Sequence, residues 1–368
     1  MALLLALVMC QPASAAIYKV PKKIRSNCSV AVDRQITSWL ASVPDGNTAQ
    51  FAAGGCYGQD GTITLSGRKD LVIDGQNSTF RALTMGDSHR ANWRFVNGER
   101  LTVQNMTVRG SDPTGEYRAG FEWQHGYSVE GVQGMTLSKV TASDTWGDGV
   151  DIWHGAPSPA CGDDASSARD VLISDAVLER NGRQGVAIVD GERVTVQGST
   201  IGPVAWSSVD IETDDDCEIA RHINLVGNSF GANRYGVIAN VGFGGDPQVG
   251  DVTVTDNVQT AGTGAAGECW APVRLLSPDT LYRSGYVFRR NQLIGRRNGV
   301  ELRRINDAEI SSNTVALPPT TGCGKRAGVL LVDSDYVSIL SNVFSGANYV
   351  YTADALSYPI SASGNTTG

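Results

Sequence analysis

The sequence predicts an all-β solenoid, and three observations predict it. A strand-opening phrase, a turn that usually ends in Gly followed by apolar-x-apolar, occurs seven times: GDG-VDIWH (Val150), RQG-VAIVD (Val186), WSS-VDIET (Val209), RYG-VIANV (Val237), WAP-VRLLS (Val273), RNG-VELRR (Val300) and RAG-VLLVD (Val329). Successive copies lie 23 to 36 residues apart, too irregular for propeller blades and right for solenoid coils carrying inserted loops. Each copy is followed by a second short strand, and 43 glycines punctuate these strands while helix-period stretches are scarce. The chain has 368 residues and no Pro-rich, Ser-rich or like-charged linker between Thr62 and Val343, so one elongated domain fits better than two compact ones.

In chain order, the apolar run Leu3 to Met9 precedes Pro-Ala-Ser-Ala-Ala, which predicts a signal peptide over residues 1–16. The run is too short to span a membrane, which takes ~20 apolar residues. Residues 17–60 are expected to form an N-terminal cap: VAVDRQITSWLASV (30–43) places Val32, Ile36, Leu40 and Val43 on one helical face, a lid for the terminal coil with Trp39 in its core. Residues 61–368 then form the solenoid, of about ten coils. Its phrase traces back to Gly120-Phe-Glu-Trp-Gln-His125 and to Trp93-Arg-Phe-Val. Asn228, Asn257, Asn291, Asn313 and Asn342 hold the sixth place of five successive second strands. Stacking at about 4.8 Å lets their amides bond as a ladder. Without the leader six cysteines remain, an even number that suits three disulfides in an exported chain. Proximity and repeat phase favour Cys28 with Cys56, Cys161 with Cys217 and Cys269 with Cys323 among the roughly fifteen pairings.

Strand-turn-strand coils with an asparagine ladder resemble a right-handed parallel β-helix, the fold of pectate lyases, polygalacturonases, alginate epimerases and phage tailspikes. The resemblance covers most of residues 60–345. The segments PDGNTAQF, GCYGQDGTITL, NGRQGVAIVDGERVTV and VDIET are further similar to secreted bacterial β-helix proteins of the actinobacterial type. Trp146-Gly-Asp-Gly-Val-Asp-Ile152 resembles the Asn-Thr-Asp-Gly-hydrophobic-Asp segment of polygalacturonases, with Asp148 at the position of that motif's acid. That family's next Asp-Asp pair is replaced here by Arg183-Gln184, and neither its Gly-His-Gly nor its Arg-Ile-Lys occurs.

In each phrase the first apolar residue and its i+2 partner point into the coil, so the residues between them align as outward columns. The first column reads through Glu122, Asp151, Ala187, Asp210 and Ile238, and the second through Gln124, Trp153, Val189, Glu212 and Asn240. Asp148 and Gln184 stand at strand entrances beside Trp146, Arg183 and Trp206. This clustering predicts Asp148, Asp151, Asp210 and Glu212 as catalytic acids. Glu122, Gln124, His125, Trp153, His154, Arg183 and Gln184 are expected to bind substrate. Asp151 and Asp210 lie two coils apart, about 9.6 Å, near the upper end of the roughly 6.5–9.5 Å of inverting glycosidases. Neighbours such as Asp148 with Asp151, or Asp210 with Glu212, suit the roughly 5–5.5 Å of retaining ones.

The expected function is a secreted glycoside hydrolase acting on a polysaccharide. The alternatives are a calcium-assisted lyase or epimerase, with Arg183 assisting proton removal, and a non-catalytic glycan-binding solenoid. A net charge of −8 excludes a nucleic-acid partner and repels a densely anionic polysaccharide unless the groove is locally basic. No cofactor is expected, although Asp214, Asp215 and Asp216 after Glu212, with Asp163 and Asp164, leave calcium open.

Overall fold

The computed structural model describes residues 15–155, 166–214, 217–240, 249–262, 269–277, 281–320 and 322–368, without the side chains of residues 239 and 240. Among them, every strand pairing is parallel, with 11 strands in one sheet and 23 in the other. All seven phrases fall in the 11-stranded sheet, which runs from Ile63–Ser66 to Tyr349–Ala353. Their inward Val and Ile side chains are fully buried along the axis, as at Val150, Ile152, Val186, Ile188, Val209 and Ile211. Each such side chain contributes about 1.5–3 kcal/mol of burial, so the core lengthens coil by coil.

The second strands form the larger sheet; besides a left-handed residue near its start, such as Arg100, Asp170, Arg193 or Asp251, each bends at a further residue in that region. That residue is Asn105, Lys139, Asp175, Gly198, Gly227, Asp256, Arg290, Ser312, Ser341 and Gly364 in successive coils. The bend turns the next residue inward, and from Asn228 onward that residue is asparagine. Asn228 Nδ2 donates to Asn257 Oδ1 at 3.0 Å, and the same bond recurs through Asn291, Asn313 and Asn342 to Asn365. The ladder thus exists and is one rung longer than the sequence suggested.

The cap helix is Asp33–Ser42, with Ile36, Trp39 and Leu40 buried and Trp39 edge-on to Phe51 at 5.0 Å. The segment read as a cap also supplies strands, Thr48–Gln50 and Cys56–Gln59, that pair with Val72–Ala82. Cys28 is bonded to Cys56 and Cys269 to Cys323. Cys217 is disulfide-bonded, while Cys161 and residues 1–14 lie outside the described residues. Among the described residues no helix is long and apolar enough to cross a membrane.

Two register expectations need correction. Residues 121–126 are turns, closed by the Phe121 and Gln124 amides bonding back to Arg118 and Phe121. The strand that pairs with Val150–Trp153 is instead Tyr127–Glu130, so Ser128 and Glu130, not Glu122 and Gln124, occupy the two columns. The copy at Val237 is slipped by one, since Val209 pairs with Ile238 and Asp210 with Ala239.

Candidate active site

The middle columns behave as read: Asp151, Ala187 and Asp210 are register partners on three adjacent strands. Trp153, Val189 and Glu212 follow them, held by the Val189 amide on Ile152 O and the Glu212 amide on Ile188 O. Their position outside the coil does not expose them. Asp151 is 4% and Asp210 6% exposed, because residues 110–126 and the ring of Trp206 wall them in. What remains open is a cleft of about 590 Å³ lined by Tyr117, Glu122, Trp123, His125, Asp151, Trp153, Arg183, Val189, Trp206, Glu212 and Asp214.

Arg183 stands at its centre. One Nη donates to Glu212 Oε1 at 2.9 Å, the other lies 3.6 Å from Asp148 Oδ2, and the guanidinium packs 5.1 Å from the centre of Trp206. Although buried, Arg183 is held more basic than usual by Asp148, Glu212, Asp210 and Asp151. Asp148 is wholly buried beneath the cleft; it accepts from the Gln184 amide at 2.8 Å, and Arg183 and His125 outweigh burial to keep its pKa low. His125 Nδ1 lies 3.1 Å from Asp148 Oδ2, and its Nε2 lies 3.9 Å from Asp151 Oδ2. Burial opposes the charge on His125, but Asp151 and Asp148 raise its pKa above the ordinary value.

The remaining acids outnumber the cations, and burial therefore protonates some of them. Asp151 is pushed up to about 6, mainly by burial and then by Asp148 and Glu130 against the pull of His125. Asp210 and Glu212 titrate as a pair, at about 7 and about 8. Burial is the main cause for both; Asp210 adds to it at Glu212, and there the two outweigh the Arg183 contact. Glu122 goes the other way: burial would raise it, but the Tyr117 hydroxyl donating at 2.6 Å keeps its pKa low.

The predicted residues separate accordingly. Asp151, Glu212, Glu122, His125, Trp153 and Arg183 line the cleft, with Asp210 just behind. Asp148 and Gln184 are wholly buried, so neither reaches a substrate; Gln184 Nε2 donates to Asp210 Oδ2 at 3.0 Å and positions it. Gln124 is not a substrate ligand, since its amide is spent on the carbonyls of Met85 and Asp87. His154 turns from the cleft toward Glu218, 3.3 Å away, and Glu218 accepts from Trp153 Nε1 at 2.8 Å.

Sequence reading missed Tyr117, Trp123, Glu130 and Glu218. Glu130 takes both nitrogens of the Arg94 fork at 2.6 Å, and Ser128 Oγ bridges it to Asp151. Trp123 lies 5.2 Å from Trp153, and the two rings make one apolar wall. Only the correct strand register would have revealed Glu130.

For a metal, the described residues offer His125, Asp148 and Asp151, whose ligand atoms lie within 4.8 Å of one another. A nitrogen with two carboxylates suits zinc better than calcium, which takes oxygens, and Arg183 already balances Asp148. Asp214 lines the cleft, whereas Asp163, Asp164, Asp215 and Asp216 lie outside the described residues.

No family model matches the chain, and no curated protein matches it. Solved structures do. The A-module of the Azotobacter vinelandii mannuronan C-5 epimerase AlgE6 superposes with a TM-score of 0.65 at 13% identity, over 95% of this chain and 99% of that one. The chain folds as a parallel β-helix. The catalytic unit of a GH87 α-1,3-glucanase from Streptomyces thermodiastaticus gives 0.61 at 13% identity, over 97% of this chain and 69% of that one. PfbA, a surface adhesin of Streptococcus pneumoniae, gives 0.57 at 13% identity, over 90% and 91%. Likeness at this level of identity is a likeness of fold.

Proposed function

We propose that the chain is a secreted carbohydrate-active enzyme, a glycoside hydrolase that cleaves a polysaccharide lying in the cleft beside Arg183. The observation that carries this reading is a pair of carboxylates two strands apart on one face, pushed to different protonation states by their surroundings. Near pH 7 Glu212 holds its proton and gives it to the glycosidic oxygen as the C–O bond breaks. Asp151, ionised above about 6, takes a proton from the water that attacks the anomeric carbon. The two products gain H and OH, and solvent returns the proton from Asp151 to Glu212. Asp151 and Glu212 stand two strand spacings of about 4.8 Å apart and one column across, which leaves room for that water and exceeds the roughly 5–5.5 Å of a retaining pair, so the reading is an inverting one. His125 and Ser128 orient Asp151, Asp210 keeps Glu212 protonated, and Trp153 with Trp123 offers a flat wall to the sugar. Fold neighbours that are a glucanase and an epimerase support the substrate class, and paired cysteines support an oxidising compartment.

Elimination with Arg183 as base is disfavoured, because the acids around Arg183 hold its guanidinium protonated more firmly than in a free arginine and leave no neutral base to take the proton. A passive glycan-binding face has no use for carboxyls held protonated near neutral pH.

The test is a screen of polysaccharides for new reducing ends, read alongside the ultraviolet absorbance of unsaturated products. Hydrolysis without that absorbance, unaffected by EDTA and lost in Glu212→Gln and Asp151→Asn, is expected. Full activity in both variants overturns the assignment.

A further inference from the structure

Residues 110–126 separate the acid cleft from a second one of about 660 Å³. Four arginines line it, Arg81, Arg109, Arg118 and Arg180, against two acids, Asp112 and Asp144. With Glu179, which holds Arg180 at 2.7 Å from outside the lining, four cations still face only three anions in a chain whose net charge is −8. Strand pairing builds the concentration: Arg81 and Arg109 are register partners, so two like charges stand one strand spacing apart. Asp144 serves two guanidinium groups at once, Arg109 Nε and Arg180 Nε, each at 2.7 Å.

Elsewhere on this surface three exposed arginines are each matched to an aspartate one coil away. Arg100 pairs with Asp70, Arg193 with Asp170 and Arg290 with Asp256, each through two nitrogens. Arg81 and Arg118 break that pattern. Among the described residues the Arg81 guanidinium makes no hydrogen bond or ion pair, and the Arg118 guanidinium meets only the rings of Phe121 and Trp146, at 4.8 and 5.3 Å. Stacking on rings fixes a guanidinium in place without neutralising it. Leaving like charges clustered and uncompensated is unfavourable, and a bound anion removes that penalty.

We propose that this cleft binds the anionic substituent, carboxylate or sulfate, of an acidic polysaccharide, with Arg81 and Arg118 as its ligands. The inference rests on the polysaccharide reading of the neighbouring cleft and names the class of polymer. Tyr117 and Arg118, adjacent in the chain, line opposite clefts, so a polymer crossing this loop places one unit in each. It also resolves the conflict between an acidic protein and an acidic substrate, since the groove is basic where the anion would sit.

The test uses calorimetric binding to oligosaccharides of three kinds: uronate-bearing, sulfated and neutral. Measurements use the wild type, Glu212→Gln and the double variant Arg81→Gln/Arg118→Gln, with thermal melts as a check on folding. The two arginines are exposed and the double variant should melt with the wild type. Acidic oligosaccharides should bind at least tenfold more tightly than neutral ones, more weakly as salt rises, and the double variant should lose that preference. The uronate and sulfate arms show which anion is preferred. Equal affinity for acidic and neutral oligosaccharides, no binding of either, or an unchanged preference in the double variant overturns the proposal. If preference depends on the arginines but nothing is cleaved, the hydrolase reading fails and this one stands. If a neutral glycan is cleaved and the arginines are silent, the reverse holds.

Discussion

Replacing Asp210 by asparagine should remove activity and, above pH 7, make the protein more stable. Asp210 is nearly isosteric with asparagine, and its replacement keeps an oxygen that can accept from Gln184 Nε2, now 3.0 Å from Oδ2. Burial raises the Asp210 pKa from 3.8 to about 7. Between those values the folded state holds a proton that the unfolded chain has lost. Stability therefore falls as pH rises through that window. Three pKa units correspond to about 4 kcal/mol. Because the Glu212 proton is shared in the same titration, roughly half to all of this is the expected range, about 2–4 kcal/mol at pH 8. Asparagine carries no charge to bury, so the variant should gain that amount at pH 8, less than half of it at pH 5, and match the wild type only below the unfolded pKa of 3.8. The assay is denaturant unfolding with disulfides intact, run at both pH values. An Asp210→Asn protein no more stable than the wild type at pH 8, or a difference that does not change between pH 5 and 8, refutes the reasoning. It would mean that the carboxylate is solvated in solution rather than walled in.

Three other outcomes follow from the same geometry. Turnover should rise as Asp151 ionises near pH 6 and fall as Glu212 loses its proton near pH 8, and Glu212→Gln should abolish the plateau rather than displace it. Asn291 donates to Val254 O and Asn313 Oδ1 at 2.9 Å and accepts twice from Asn257 at 3.0 Å. Asn291→Ala should therefore lower stability by about 3 kcal/mol, seen as a shifted unfolding midpoint. The disulfide of Cys28 with Cys56 spans 28 residues. Serine at both positions should cost about 3–4 kcal/mol in the loop-entropy picture, measured by thermal melts of the variant against the oxidised wild type.

The fold was legible because its signal repeats. Four of the six steps between successive phrases carry the register that their apolar pattern implies, the two exceptions being those into and out of the copy at Val237, and the asparagines betray themselves by keeping one place in successive strands from Asn228 onward. The slip at Val237 was not visible, since Val237 and Ile238 are both apolar and either satisfies the pattern. Residues 121–126 misled for the opposite reason: Phe-Glu-Trp-Gln-His alternates like a strand, yet hydrogen bonds three residues back make it a turn. Asp151, Asp210 and Glu212 could be placed on one face because strand spacing is fixed. Whether they were exposed could not, because burial there depends on loop side chains that obey no period. The arginine cleft was hidden likewise. Arg81, Arg109, Arg118 and Arg180 have unequal spacings; strand pairing brings the first two together, and the loop over 110–126 carries Arg118 to them.

Because one column offers one position per coil, distances between groups on it come in whole strand steps, and Ala187 is the graduation left blank. The backbone therefore sets the gap from Asp151 to Asp210 as an integer, and the proposed acid Glu212 departs from it by one column across and by the length of its side chain. Loop insertions alter what fills the cleft without stretching that scale. The coils of 23 and 36 residues that look irregular along the chain are equal steps along the axis.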